Sequence, residues 1–249
     1  MKIDTATIAE WTLRTAQKNN TSAIILAAGN SLRMGGINKQ TLLVDGIPVL
    51  AHTLMAYQKC VLIREIIVVT RRQDFETVYS MQQKYGIKKL KHIVVGGATR
   101  QESAIKGMQK VSKHAKYVAI ADGARCLTTP MQIAKVCLRA YRYSAASAGH
   151  KVSDTVKRTT ALGMTRETVD RKNLWQAQTP QVFHAALYTA ALHKASKDQF
   201  EATDDNAIVE HLGYQVRMVE CGVQNIKITT PMDIPLAEAI LRYRSDKGC

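Results

Sequence analysis

Four apolar runs recur along the first half of the chain: AIILA at 23–27, EIIVVT at 65–70, KHIVVG at 91–96 and YVAIAD at 117–122, separated by segments of helical length. Each is short, rich in β-branched residues and apolar over most of its length, which predicts strands covered on both faces. Strands alternating with helices predict an α/β fold, a Rossmann-like, mostly parallel sheet with helices on both faces. Helix starts are marked as well. Thr99 with Glu102 and Thr129 with Gln132 have capping-box spacing, and Pro130 and Pro231 each follow a threonine, as proline does at a first helical position. In the helix opening at Thr99, Ala104, Met108 and Val111 share the face that would meet the sheet. After residue 144 the pattern loosens, and AGHKVSDTVKRTTALGMTRETVDRKNLWQAQTPQVF predicts an extended excursion instead of another strand–helix unit. Helices near 184–196 and 204–212, a strand near 214–219, the segment NIKITT and a helix from Pro231 complete the pattern. Residues 1–20, mostly polar, with Ile8, Trp11 and Leu13 among the exceptions, are expected to be an N-terminal extension to a single domain at 21–245.

Composition narrows the class. The chain has 249 residues, 46% of them hydrophobic, enough for the core of one large α/β domain. No apolar run approaches the roughly 20 residues needed to span a bilayer, and the N-terminus lacks the apolar core of a secretory signal, so no membrane partner and a cytoplasmic location are expected. Cys60, Cys126, Cys137, Cys221 and Cys249 are odd in number and nowhere closely paired, which predicts reduced thiols and neither a disulfide framework nor a zinc site. The net charge of +15 attracts anions. Scattered basic residues with no zinc-finger spacing, zipper heptad or aromatic RNA-binding signature make nucleic acid the less fitting partner and phosphorylated metabolites the better one.

In an open parallel sheet, ligands sit beyond the carboxyl ends of the strands. After the first strand comes AAGNSLRMGGINKQ, with Gly29, Arg33, Gly35, Gly36 and Lys39; after the third, GGATRQES; after the fourth, DGAR; and near the C-terminus, NIKITTP. The opening loop matches neither phosphate cradle: no glycine at Walker spacing precedes a Lys-Ser/Thr pair, and Gly29 lacks the second glycine of a dinucleotide fingerprint. Its small residues still admit backbone amides to an anion, and Arg33 and Lys39 add charge. Taken singly, each feature has a plain structural role. Gly96 and Gly97 end a strand, Asp122 caps a turn, Lys227 guards a sheet edge and the loop cations are solvated. Taken together, cations, glycines at a helix N-terminus and a carboxylate suited to a hard cation converge on strand ends.

These motifs, with SDTVKR, VDRKNLWQAQTPQVF, TDD and NIKITTPMD in the same order, resemble the 2-C-methyl-D-erythritol 4-phosphate cytidylyltransferase family over about residues 22–242. The resemblance implies a nucleotidyltransferase fold with an extended β-arm at about 148–175. It also implies transfer of a cytidylyl group from CTP to methylerythritol phosphate, with pyrophosphate released and Mg2+, or another divalent cation, as cofactor. By similarity, Arg33, Lys39 and Lys227 are catalytic, stabilising charge at the α-phosphate. Ala27, Ala28, Gly29, Gly96, Arg100 and Ser103 hold CTP. Asp122 lies beside both the metal and the acceptor, and Thr155, Lys157, Arg171, Thr179 and Thr203 serve acceptor binding. The arm implies a homodimer in which Thr155 and Lys157 reach a partner's site. Ser31, Asn38, Ala121, Cys126 and Gln224 depart from the family's usual residues without removing a proposed cation. The nearest alternative is a pentitol (ribitol) 5-phosphate cytidylyltransferase, and a more distant one is an inactive homologue acting as a basic nucleic-acid-binding protein.

Overall fold

The computed structural model describes residues 20–29 and 38–246. The N-terminal extension, Ser31, Arg33, Gly35, Gly36 and Cys249 therefore lie outside the described residues. In chain order the elements are β1 (Thr21–Leu26), β2 (Leu43–Val44), β3 (Ile47–Pro48), α1 (Val49–Lys59), β4 (Ile63–Thr70), α2 (Phe75–Lys84), β5 (Leu90–Val95), α3 (Arg100–Met108), β6 (Tyr117–Asp122), α4 (Pro130–Tyr143), β7 (Ala145–Lys151), β8 (Val156–Thr159), β9 (Thr165–Val169), β10 (Trp175–His184), α5 (Ala185–Lys197), α6 (Asp205–His211), β11 (Arg217–Glu220) and α7 (Asp233–Asp246). A seven-stranded sheet in the order β11-β7-β10-β6-β1-β4-β5 forms the centre. Its β1, β4, β5 and β6 run parallel, as their apolar runs predict, and β10 runs antiparallel to β6 and β7. The mostly parallel α/β expectation therefore holds.

Strand alternation divides the core in two. Ala23, Ile25, Ile66, Val68, Ala119 and Ala121 join one apolar cluster with residues of α1 and α4, while Ile24, Ile67, Val69, Val118 and Ile120 join a second with residues of α5 and α6. Side chains at i and i+1 point to opposite faces, so each central strand must be apolar throughout to serve both. A third, smaller cluster joins Val44, Val49, Ala124, Cys126, Leu127, Ile228 and Ala237, and it seats α7 against the turn after β6. Cys126 stays a neutral thiol there, because burial pushes its pKa up to about 12. Ala121 is also buried, so both of these departures from the family pattern fill core positions.

Several expected boundaries shift for local reasons. The excursion begins and ends inside the sheet, because β7 and β10 pair with each other; only β8 and β9 stand apart, as a separate antiparallel hairpin. NIKITT forms no strand. The Ile228 amide donates to the Ala124 carbonyl, and buried Asn225 donates to the Thr179 carbonyl, so the segment is pinned by isolated bonds. The terminal helix begins at Asp233, not Pro231, since the Asp233 carboxylate closes the preceding turn by accepting from the Thr229 and Thr230 amides at 2.7 Å each. Thr129 and Gln132 form the full reciprocal capping box. At α3, Thr99 Oγ1 accepts from the Glu102 amide while the Glu102 carboxylate reaches the Ala98 amide.

Candidate active site

The carboxyl ends of β1 and β6, the start of α3 and the NIKITT segment surround a cavity of about 320 Å³. Leu26, Ala28, Gly29, Lys39, Gln40, Gly97, Ala98, Thr99, Arg100, Ser103, Asp122, Ala124 and Lys227 line it. Parallel packing places the loops together: the Ala27 amide bonds the Val69 carbonyl at 2.7 Å, and the Gly123 amide bonds the Leu26 carbonyl at 2.8 Å. Glycine is needed at 96. A Cβ there would stand 2.5 Å from the Ala28 Cβ and 3.0 Å from Ser103 Oγ, closing the small-residue wall. Beyond it, Ser103 Oγ accepts from the Gly97 amide at 3.0 Å and donates to the Thr99 carbonyl, fixing the turn that enters α3.

Asp122 forms the charged floor. Lys227 Nζ lies 3.0 Å from Oδ2, Arg125 Nε 3.5 Å from Oδ2 and Arg100 Nε 3.8 Å from Oδ1. Burial alone would raise its pKa, but Lys227, Arg100 and Arg125 outweigh that and hold it at about 2. A carboxylate depressed from its ordinary 3.8 contributes stability above the unfolded value and loses it as pH falls through the folded one. Acidification from pH 5 to 2 should therefore remove about 2 kcal/mol that depends on Asp122. In urea titrations, the stability difference between the wild type and Asp122→Asn should change by that amount over this window; an unchanging difference would contradict the assignment.

Behind this floor is a buried polar frame. Arg100 Nη2 lies 2.7 Å from Asp205 Oδ2, and Tyr188 Oη donates to Asp205 Oδ1 at 2.5 Å. Burial works against the charge on Arg100, yet Asp205 and then Asp122 raise its pKa and keep it protonated. Gln181 Oε1 accepts from the Asp205 and Asn206 amides, locking the entry to α6, whose N-cap is Asp204. Thr179 Oγ1 accepts from the Asp122 amide at 3.0 Å, and Asn225 ties the Lys227 segment to Gln178 and Thr179 on β10.

The structure brings together Ala28, Gly29, Lys39, Arg100, Ser103, Asp122 and Lys227 around one cavity, with Gly96 packed behind Ala28 and Ser103 and Thr179 bonded to the Asp122 amide, while Ala27 is buried outside the lining. Thr203 is exposed just before the α6 cap. Thr155, Lys157 and Arg171 lie on the exposed hairpin and its base, outside this cavity's lining; Lys157 Nζ donates to Thr168 Oγ1, and Arg171 to the Ser153 carbonyl. Arg125, Asp205 and Gln40 escaped the sequence reading as site residues, although DGAR, TDD and AAGNSLRMGGINKQ carried all three within motifs. Gln40 is 4% exposed, and its Oε1, at the cavity wall, has no hydrogen-bond partner among the described residues. An unpaired buried acceptor costs about 1–3 kcal/mol, which a ligand donor would offset.

Among known proteins, the family model described as IspD, 2-C-methyl-D-erythritol 4-phosphate cytidylyltransferase, matches residues 21–243. A protein of that name from Caldanaerobacter subterraneus is 43% identical over 225 residues, covering 90% of this chain and 99% of its own. One from Syntrophus aciditrophicus is 41% identical, covering 88% and 95%. The crystal structure of a 4-diphosphocytidyl-2C-methyl-D-erythritol synthase from Anaerococcus prevotii superposes with a TM-score of 0.82 at 31% identity, covering 92% of this chain and 99% of that one.

Proposed function

This chain belongs to the 2-C-methyl-D-erythritol 4-phosphate cytidylyltransferase family, and from that premise we propose how its strand-end cavity performs the transfer. It is a nucleotidyltransferase that joins CTP and methylerythritol phosphate into CDP-methylerythritol, a step of isoprenoid biosynthesis. An oxygen of the acceptor phosphate forms a bond to the α-phosphorus of CTP, and the bond from that phosphorus to the bridging oxygen breaks as pyrophosphate leaves with its electron pair. The nucleophile is already an anion, so no general base is required. What the site must supply is cations and amides where charge accumulates.

The observation that carries this reading is the cluster on Asp122. Three cations face Asp122 at the floor of a glycine-walled cavity, and with Asp205 countering Arg100 from behind, one positive charge is left over for phosphates. In our reading, Lys39 and Lys227 meet the transferring phosphate, joined by Arg33. Gly29, Ser103 and the amides entering α3 hold the nucleotide, with Ala27, Ala28, Gly96 and Arg100 shaping that wall. Among the described residues, Asp122 is the one carboxylate lining the cavity, and no cluster of three metal-ligating side chains occurs. That donor set fits Mg2+ or a similar divalent cation, which takes most of its ligands from phosphates and water. When bound, such an ion would be held by Asp122 and would neutralise nucleotide phosphates.

The β8–β9 hairpin supports a homodimer. It stands apart from the main sheet with Leu162 and Met164 exposed at its tip, surface that a second copy would cover, bringing Thr155, Lys157 and Arg171 toward the partner's acceptor. Thr179 and Thr203 complete acceptor binding in this reading. A cytoplasmic location accords with Cys60, Cys126, Cys137 and Cys221, all free and buried. Among the described residues no helix is long and apolar enough to cross a membrane.

The test is pyrophosphate release with each of the four nucleoside triphosphates crossed with methylerythritol phosphate and ribitol 5-phosphate. Release is expected only with CTP and methylerythritol phosphate, and to be lost on chelation of divalent cations. Preference for ribitol phosphate would move the chain to the pentitol subfamily, and absence of release with either acceptor would overturn the enzyme reading.

A further inference from the structure

We propose that Asn38 and Asp74 are positioning residues that fix Lys39 at the transferring phosphate, an inference that rests on the reading of Lys39 as a transfer-site cation. Lysine is a flexible point charge, so its accuracy depends on how firmly its backbone is held. On one side of Lys39, Asn38 Nδ2 donates to Asp74 Oδ1 at 3.0 Å. Asn38 Oδ1 accepts from the Gln40 amide at 3.1 Å, so the Asn38 side chain reaches across Lys39. The Asn38 carbonyl accepts from both the amide and the hydroxyl of Thr41. On the other side, buried Gln40 offers its carbonyl to the Leu50 amide at 3.1 Å, tying it to the start of α1. Lys39 is thereby bracketed by two anchors on different parts of the scaffold.

The Asp74 anchor is itself rigid. Arg71 grips its carboxylate with two bonds, Nε to Oδ2 at 2.7 Å and Nη2 to Oδ1 at 3.1 Å, and the Asp74 amide bonds the Arg71 carbonyl at 3.0 Å. Arg71 follows directly on β4, whose last carbonyl, at Thr70, accepts from the Gly96 amide in the nucleotide wall. The carboxyl end of β4 thus sets both Gly96 and, through Asp74 and Asn38, the backbone of Lys39. The bidentate pair also commits Asp74 to one orientation, leaving Oδ1 aimed at Asn38. Neither Asn38 nor Asp74 lines the cavity, so their influence runs through Lys39.

Asn38→Ala and Asp74→Ala should each lower kcat about tenfold, since displacing a catalytic group by a fraction of an ångström has effects on this order. KM for CTP and for the acceptor should stay within about twofold, because Lys39 acts mainly in the transition state. The double variant should be no more than about twofold slower than the worse single one, both substitutions cutting the same tether. Asp74→Asn, which keeps one acceptor for Asn38 but loses the bidentate Arg71 pair that orients it, should recover only part of the turnover. Multiplicative losses, losses that follow a fall in the thermal unfolding midpoint, or normal kcat in both single variants beside a slow Lys39→Ala would overturn the inference. A normal rate in Lys39→Ala would instead overturn the reading of Lys39, and the inference with it.

Discussion

Replacing Lys227 or Lys39 by alanine is expected to lower turnover by roughly 100-fold or more, the loss seen when one preorganised charge partner of a transition state is removed. The two lysines approach the cavity from different parts of the chain: Lys39 from the loop after β1, Lys227 from the segment between β11 and α7. Before substrate arrives, Lys227 rests on Asp122 at 3.0 Å. Its partner is shared with Arg100 and Arg125, so the ammonium can turn to a phosphate without stranding the carboxylate. Asp122 should therefore stay ionised in Lys227→Ala, and the loss should fall on kcat measured at saturating CTP and acceptor, with unfolding stability little changed. Rates within threefold of wild type in both variants would reduce these cations to surface charge.

What the sequence revealed follows from what a residue pattern encodes locally. The four parallel strands are legible because burial on both faces leaves continuous apolar runs, as in Ile66–Val69. The β7 strand, AASAGHK, is buried over most of its length but built from alanine, serine and glycine, which give no strand signal. In β10, Gln178, Thr179 and Gln181 are buried in what reads as polar loop, because they serve distant partners: Asn225 lies 47 and 46 positions from Gln178 and Thr179, and Asp205 lies 24 from Gln181. The site divides in the same way. Asp122 and Lys227 sit in short motifs beside strand ends, where their chemistry can be read. Asp205 is separated from Arg100 by most of the second half of the fold, so only the packed structure shows that a carboxylate stands behind that arginine. Arg33 belongs to the legible part, yet lies outside the described residues.

That hidden carboxylate carries the largest expected effect on stability. Asp205→Ala should lower the unfolding free energy by about 3–5 kcal/mol, the cost of removing one member of a buried ion pair. The Asp205 side chain is fully buried, at 0% exposed, while Arg100 keeps 27% exposure toward the cavity, so the arginine would lose its counter-charge and turn toward Asp122 or solvent. Tyr188, fully buried and donating to Asp205 Oδ1, would lose its acceptor at the same time, with a further desolvation penalty inside the second apolar cluster. Asp205→Asn separates the two effects: it keeps an oxygen for Tyr188 but removes the charge facing Arg100. It should recover part of the stability while KM for CTP stays raised, because Arg100 remains misplaced at the nucleotide wall. The exposed Arg158–Glu167 pair on the hairpin provides the contrast, and Arg158→Ala should cost less than about 1 kcal/mol. Urea unfolding of the three variants, with CTP titrations of each, checks the ranking. If Asp205→Ala proved no worse than Arg158→Ala, Asp205 could not be the buried counter-charge that holds Arg100 in place.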